Sequence, residues 1–180
     1  MQFIDVDASD WFYGDVTYAF EKGLMNGISS NEFGPNLNIT RAMFVTIIYR
    51  MEGEPEGGAS TFADVAAGQY YTDAVAWATA NGIVTGYSDT QFAPDGNITR
   101  EQMAAILYRY ANYKGIDTSA SADITSYADA ATVDEYAVAA MQWAVGAGVM
   151  NGTGANLEPL ANATRAQAAA VFGRFDKSFN

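Results

Sequence analysis

The segment NITREQMAAILYR, residues 97–109, has the form of a capped amphipathic helix, and its pattern organises the whole chain. Thr99 and Gln102 match the capping box, in which the threonine hydroxyl accepts a hydrogen bond from the N3 amide and the glutamine side chain returns to the cap amide. Arg100, however, stands at the first helical position, where the peptide dipoles favour anionic side chains and oppose a cation. An arginine at this place therefore indicates a contact outside its own helix.

The same pattern recurs as NITRAMFVTIIYR at residues 38–50 and as NATRAQAAAVFGR at residues 162–174. Successive threonine-arginine pairs are separated by 59 and 65 residues. Other motifs recur in the same order: Phe-x-Asp-Val at Phe3 and Phe62, more weakly at Tyr127; Gly-x-x-x-Gly at 23–27, 82–86 and 148–152; and an aromatic residue or leucine two places before Pro35, Pro94 and Pro159. Three copies of one unit therefore make up the chain.

Each copy is predicted to be a helix, a loop and a second helix. The first helices are expected at about 10–22, 72–81 and 133–147, and the second helices after the threonines. Gly23, Gly82 and Gly148 stand where a left-handed residue ends a helix. The predicted copies are 1–52, 61–114 and 127–180, with linkers at 53–60 and 115–126. Since no helix pair of this size buries its apolar stripe alone, we expect one all-α domain whose copies pack around a shared axis.

Composition excludes several classes of function. A formal net charge of −12 argues against nucleic acid or an anionic membrane surface as the main partner. The chain has no cysteine and no histidine, which excludes a cysteine nucleophile, the usual zinc sites and a Ser-His-Asp triad. No run approaches the roughly 18–20 apolar residues of a membrane span. No export signal is recognisable at the N-terminus, so an exported protein would have to be represented here by a piece.

These ordered motifs resemble the S-layer homology repeat of bacterial surface proteins, over nearly the whole chain and in the usual number of three copies. The resemblance implies a pseudo-threefold, three-pronged spindle with a central helix bundle and grooves between neighbouring copies. It also implies an extracellular protein that is held non-covalently at the cell wall. Members of the family bind a secondary wall polysaccharide, often through a pyruvylated N-acetylmannosamine unit.

The family's tetrad Thr-Arg-Ala-Glu, whose arginine is associated with ligand binding, maps onto residues 40–43, 99–102 and 164–167. Its glutamate is replaced by Met43, Gln102 and Gln167. The two glutamines can still complete the capping box, whereas Met43 cannot. The third copy departs further, with a shorter loop at 153–156 and Leu157 in place of phenylalanine, so we expect its groove to be the weakest.

An arginine beside a helix N-terminus can hold a carboxylate, because its planar fork matches the anion and the first helical amides are free donors. The predicted ligand-binding residues are the arginines Arg41, Arg100 and Arg165, their caps Thr40, Thr99 and Thr164, the loop glycines Gly27, Gly86 and Gly152, and the aromatic residues Tyr18, Trp77 and Trp143. The glycines would let a ligand approach the backbone, and the aromatic rings would stack on sugar.

Simpler interpretations stand beside these predictions. The three arginines could form ion pairs with a neighbouring copy, and the three aromatic residues could be core. Arg50, Arg109 and Arg174, nine residues further on, are interpreted as ordinary complements of a helix C-terminus. Asp5, Asp7 and Asp64 are interpreted as turn or cap residues.

Three other functions compete with polysaccharide binding. A glycosidase needs two carboxylates about 5–10 Å apart across a cleft, and no repeated pair suggests one. A calcium-binding module is a further alternative, because oxygen-bearing side chains lie close together in the loops at Asn36, Asn38, Asp95 and Asn97. They do not follow an EF-hand pattern. Grooves between copies could also dock another protein. We expect a non-catalytic wall anchor without metal or cofactor, with protein docking as the alternative.

Overall fold

The computed structural model describes residues 3–179. Within this range it contains six α-helices, three short 3-10 turns and no strand, which confirms the predicted all-α class. The helices are α1 (Tyr13–Glu21), α2 (Arg41–Met51), α3 (Thr72–Ala80), α4 (Arg100–Tyr113), α5 (Val138–Gly146) and α6 (Arg165–Phe179). The 3-10 turns are Ile124–Ser126, Ala130–Thr132 and Glu135–Ala137.

The predicted local signals at the helix ends are confirmed. The hydroxyl of Thr99 accepts the amide of Gln102 at 3.3 Å, and the side chain of Gln102 accepts the amide of Thr99 at 3.3 Å. Thr164 and Gln167 form the same box at 3.2 and 3.0 Å. Thr40 caps α2 without a return bond, as its sequence predicts. The left-handed φ values of Gly23, Gly82 and Gly148 are 70°, 68° and 68°.

Two first helices begin later than the sequence pattern predicts. α1 begins at Tyr13 rather than near residue 10, because the amide of Tyr13 closes a turn on the carbonyl of Asp10 at 3.0 Å. In the third copy, residues 135–137 form a 3-10 turn and α5 begins only at Val138. The residues just before these helices therefore lie outside the helical register that the periodicity implied.

The three copies close into a ring. The second helix of each copy packs on the first helix of the next, so that α2 contacts α3, α4 contacts α5 and α6 contacts α1. At the centre, the amide of Ile39 donates to the carbonyl of Ala163, Ala163 to Ile98, and Ile98 back to Ile39, at 3.0, 2.9 and 3.1 Å. The buried ring of Phe44 lies 4.7 Å from that of Phe172 between α2 and α6. The core therefore belongs to all three copies at once.

An aspartate near the start of each copy holds the loop that precedes the second helix. The carboxylate of Asp5 accepts the amides of Phe33 and Gly34 at 2.8 and 2.7 Å. Equivalent pairs of bonds join Asp64 to Phe92 and Ala93, and Asp129 to Leu157 and Glu158. These contacts support the turn role inferred for Asp5 and Asp64, and they position each loop against the neighbouring copy.

Candidate functional site

The arginine that follows each capping threonine contacts the loop of the next copy. Nε of Arg41 donates to the carbonyl of Phe92 at 2.9 Å, and its Nη2 donates to the carbonyl of Thr85 at 3.0 Å. The other two copies repeat this arrangement: Arg100 bonds Leu157 and Asn151, both at 2.8 Å, and Arg165 bonds Phe33 and Asn26 at 2.9 and 2.6 Å. The arginines therefore fasten the three copies to one another in cyclic order.

The helix amides beside these arginines already have protein partners. The amides of Arg41 and Ala42 donate to the carbonyls of Gly96 and Pro94 at 2.9 and 3.0 Å. The same bonds run from Arg100 to Ala161, Glu101 to Pro159, Arg165 to Leu37 and Ala166 to Pro35. The predicted anion site made of free N-terminal amides is therefore wrong, because a neighbouring loop occupies that position with its carbonyl oxygens.

The three guanidinium groups form no direct ion pair within the described residues. Arg41, Arg100 and Arg165 are only 5%, 4% and 7% exposed, and no carboxylate within residues 3–179 lies within ion-pair distance of them. The ion pair offered as the simpler interpretation is therefore not formed. Burial lowers the pKa of each arginine from its ordinary value. Three desolvated cations thus donate their side-chain hydrogen bonds to neutral carbonyl groups.

Part of each guanidinium remains unused. Nε and Nη2 are bonded as described, but Nη1 has no hydrogen-bond acceptor within the described part of the chain. The guanidinium carbon of Arg41 lies 4.7 Å from the ring centroids of Tyr87 and Phe92. Arg165 lies 4.6 Å from the ring of Phe33, whereas Arg100 meets Leu157 at the equivalent place.

Three equivalent grooves surround these arginines. We name them the first, second and third grooves after the copy that supplies the loop glycine. That copy also supplies the third residue of its second helix and the second arginine of that helix. The preceding copy in the ring supplies the arginine that follows its capping threonine. The following copy supplies an aromatic residue. The first groove holds Gly27, Met43, Arg50, Arg165 and Tyr70; the second Gly86, Gln102, Arg109, Arg41 and Tyr136; the third Gly152, Gln167, Arg174, Arg100 and Trp11. The cavities measure about 220, 490 and 260 Å³.

The loop glycines line the grooves, but their small size serves packing. A Cβ atom on Gly27 would lie 2.5 Å from Cε1 of Phe3, and one on Gly86 would lie 2.5 Å from Cε1 of Phe62. Gly152 faces Tyr127 in the same way. Each of these positions therefore requires glycine because the aromatic residue that opens the copy lies against the backbone.

The predicted stacking residues do not lie in the grooves. Trp77 and Trp143 are 5% and 1% exposed and pack in the core, and Nε1 of Trp143 is buried without a partner in the described residues. The hydroxyl of Tyr18 bonds the carboxylate of Asp176. None of these three side chains lines any of the grooves, so the structure favours core packing for them over sugar stacking.

The groove aromatics are instead three residues that sequence reasoning missed. Trp11, Tyr70 and Tyr136 are 64%, 60% and 51% exposed, and each lies two residues before its first helix. The predicted helices placed Trp11 and Tyr136 inside helical turns, where an aromatic residue is ordinarily core. Their equivalent positions in the repeat were the signal that could have identified them.

Two of the second arginines were also misinterpreted, whereas Arg50 does lie in the last turn of α2. Arg109 and Arg174 lie four and five residues before the ends of α4 and α6, so complementing a helix C-terminus does not explain them. They line the second and third grooves, as Arg50 lines the first. A spacing of nine residues is about two and a half helical turns, which puts the two arginines of one helix on opposite faces. Each second helix therefore separates two grooves and supplies an arginine to both.

Other classes of site have little support in residues 3–179. No group of three or more acidic residues is placed to hold a metal ion, and the chain has no histidine or cysteine to join one. None of the helices in this range is long and apolar enough to cross a bilayer.

Comparison with known proteins supports the division into repeats. A family model described as the S-layer homology domain matches residues 2–43, 61–104 and 126–169, which confirms the three copies recognised in the sequence.

Similar proteins carry related segments within much longer chains. The Surface-layer 125 kDa protein of Lysinibacillus sphaericus is 37% identical over 86% of this chain and 13% of its own length. An endoglucanase of Bacillus sp. (strain KSM-635) is 33% identical over 94% of this chain and 18% of its own length. The S-layer protein sap of Bacillus anthracis is 31% identical over 98% of this chain and 21% of its own length. The chain thus spans about a fifth or less of each of these relatives.

Proposed function

Since the chain belongs to the S-layer homology family, we propose that it is a non-catalytic module that anchors a surface protein to the bacterial cell wall. Relatives named as surface-layer and S-layer proteins support a location at the cell surface. The match to an endoglucanase over a small share of its length supports a module that is separate from catalysis. In this proposal, the ring of copies is a three-pronged spindle and the module is one part of a larger protein.

The proposed ligand is a secondary wall polysaccharide that carries a carboxylate, such as a pyruvyl ketal on N-acetylmannosamine. The observation that carries the proposal is the buried guanidinium at each groove, which forms no direct ion pair and keeps Nη1 without a hydrogen-bond acceptor in the described chain. A carboxylate bound there would accept charge-assisted hydrogen bonds and neutralise the cation.

The groove walls give the remaining parts of the proposed site. Arg50, Arg109 and Arg174 would supply a second positive charge, and the exposed Trp11 and Tyr70 would offer flat faces to sugar rings. Thr40, Thr99 and Thr164 would act indirectly, since they cap the helices on which Arg41, Arg100 and Arg165 stand. In a protein of net charge −12, this local concentration of cations is what would attract an acidic polymer.

The first test is calorimetric titration of the protein with wall polysaccharide from its source bacterium, before and after mild acid removal of the pyruvyl ketals. We expect saturable binding that disappears with the ketal. Binding that survives ketal removal would retain the anchor but exclude the carboxylate mechanism. No binding to either form, together with salt-resistant capture of a surface protein, would overturn the proposal in favour of protein docking.

A pair of variants separates groove chemistry from general charge. Arg50→Gln/Arg174→Gln removes two groove cations that lie away from the central ring, and we expect affinity to fall by about tenfold or more. Lys22→Gln/Lys177→Gln removes the same total charge outside the grooves and is the control. Equal losses in both pairs would show attraction by overall charge rather than a built site.

A further inference from the structure

Two acidic residues distinguish the second groove from the other two. Glu101 and Asp134 both line it, facing the same space as Arg41 and Arg109. The residues at the position of Glu101 in the other copies are Ala42 and Ala166, and those at the position of Asp134 are Ser9 and Gly68. The described linings of the first and third grooves contain no acidic residue. The carboxylate of Glu54, an exposed residue, lies 3.8 Å from Arg50 of the first groove.

Glu101 also holds the aromatic wall of the second groove. One carboxylate oxygen accepts the hydroxyl of Tyr136 at 3.0 Å, and the other accepts the amide of Asp134 at 3.0 Å. The residue is only 2% exposed, so its charge is not dispersed in bulk water. Opposite it, the side-chain amide of Gln102 donates to the hydroxyl of Tyr87 at 3.0 Å. The charged and titratable groups that face this groove are therefore two guanidiniums, two carboxylates and two phenols.

The charge balance of the grooves consequently differs. Two guanidiniums stand without a lining carboxylate in the first and third grooves, whereas in the second they are matched by two carboxylates. An incoming anion would meet like charge at short range, which is the usual means of rejecting a wrong partner. The larger volume of the second groove does not offset this, because volume supplies no counter-charge.

We infer that Glu101 and Asp134 are specificity-determining residues that exclude carboxylate-bearing sugars from the second groove, so that the module binds two such sugars and not three. This inference rests on the proposed function, since it concerns the same ligand and the same site. The first groove, with Arg165, Arg50 and Tyr70, and the third, with Arg100, Arg174 and Trp11, are the two carboxylate sites.

The test uses the methyl glycoside of 4,6-pyruvylated N-acetylmannosamine as the probe, with calorimetry for stoichiometry and amide NMR for location. The amides of Gly27, Gly86 and Gly152 report the three grooves separately. We expect a stoichiometry of two, with saturable shifts at Gly27 and Gly152, and binding at least about tenfold weaker at Gly86.

The variant Glu101→Gln/Asp134→Asn removes both charges and keeps oxygen acceptors of the same shape. We expect its stoichiometry to rise to three, with Gly86 shifting alongside the other two glycines. Asp117→Asn/Asp123→Asn makes the same change in net charge in the second linker, away from the grooves, and is expected to stay at two.

A wild-type stoichiometry of three overturns the inference without any variant. A folded Glu101→Gln/Asp134→Asn protein that stays at two, with Gly86 unaffected, overturns it as well. Absence of probe binding to the wild type and to the variant alike would overturn the proposed function and this inference with it, and that result is distinct from a stoichiometry of three.

Discussion

The central ring and the groove walls are made by the same repeats, yet they differ in how strictly the repeats are kept. At the ring, all three copies place an arginine, a capping threonine and a loop glycine in the same contacts. At the walls, Met43 faces the first groove where Gln102 faces the second, and Glu101 has alanine counterparts. The residues that make these contacts are therefore the same in all three copies, whereas several residues of the groove walls differ between copies.

The third copy illustrates this difference. Its short loop and Leu157 suggested from the sequence a weak groove, and that weakness remains a prediction. Nevertheless Arg100 keeps both carbonyl bonds and loses only the aromatic contact. The second groove departs more from the other two, since it is lined by Glu101 where they have alanine. The sequence did not reveal this difference, because an acidic residue in a first helical turn is ordinary.

The largest predicted effect is that of Arg100→Ala, which removes two charge-assisted bonds between copies and leaves the carbonyls of Asn151 and Leu157 unpaired. We expect the free energy of unfolding to fall by about 3–5 kcal/mol, measured by urea denaturation. Arg100→Lys keeps the charge but not the fork, so it is expected to recover only part of the loss. An unchanged unfolding midpoint would mean that the uniform ring contacts do not stabilise the fold.

Gly86→Ala is expected to have the next largest effect on stability. The added methyl group would overlap Cε1 of Phe62 and nearby carbonyl oxygens, and overpacking of this kind costs about 1–3 kcal/mol. Gly14→Ala is the matched control, since it lies in α1 with nothing within 4 Å of the new methyl group. Alanine there should stabilise the protein by about 0.5–1 kcal/mol. Thermal unfolding of both variants should move in opposite directions, and a tolerated Gly86→Ala would contradict the packing role.

Trp11→Ala tests a wall residue rather than the ring. Because Trp11 is exposed, its loss should leave the unfolding midpoint nearly unchanged while weakening probe binding in the third groove by about 1 kcal/mol, or roughly fivefold. Trp11 fluorescence should respond to the probe in the wild type, with Trp77 and Trp143 shielded in the core. A variant with full affinity at Gly152 would remove Trp11 from the site.

The smallest effect is expected from acid, through the aspartates that hold the loops. Burial tends to raise the pKa of Asp64 and of Asp129, but the amides that they accept have the larger combined effect and lower it. Since the folded pKa lies below the unfolded value, the stabilisation is present above the unfolded pKa and is lost as pH falls through the folded one.

Urea midpoints measured from neutral pH to well below the ordinary aspartate pKa should therefore decrease on the acid side. Asp64→Asn/Asp129→Asn should flatten that decrease, because the variant has no carboxylate to protonate at these positions. An equally steep decrease in the variant would assign the acid sensitivity to other groups.

Local chemistry explains which features could be predicted from the sequence. The threonine caps and the left-handed glycines depend on residues within a few positions, and all of them were predicted. The partners of Arg41, Arg100 and Arg165 are backbone carbonyl groups of another copy. Every residue has such a group, so the sequence does not indicate which one accepts the bond. Trp11 was misplaced because a late helix start changes which face a residue occupies. The nine-residue arginine spacing did contain the face assignment, through the helical period.

The cyclic hydrogen bonds among Ile39, Ala163 and Ile98 join the three copies into one closed ring. Each groove is lined by residues of three copies, so a sugar bound there under the proposed function would act as a reversible cross-link between segments that are distant in sequence. A ligand that binds only the closed ring, at one hundred times its dissociation constant, adds about 2.7 kcal/mol to the work of opening it. Under the proposed function, the module would therefore have a larger free energy of unfolding with its ligand bound than without it.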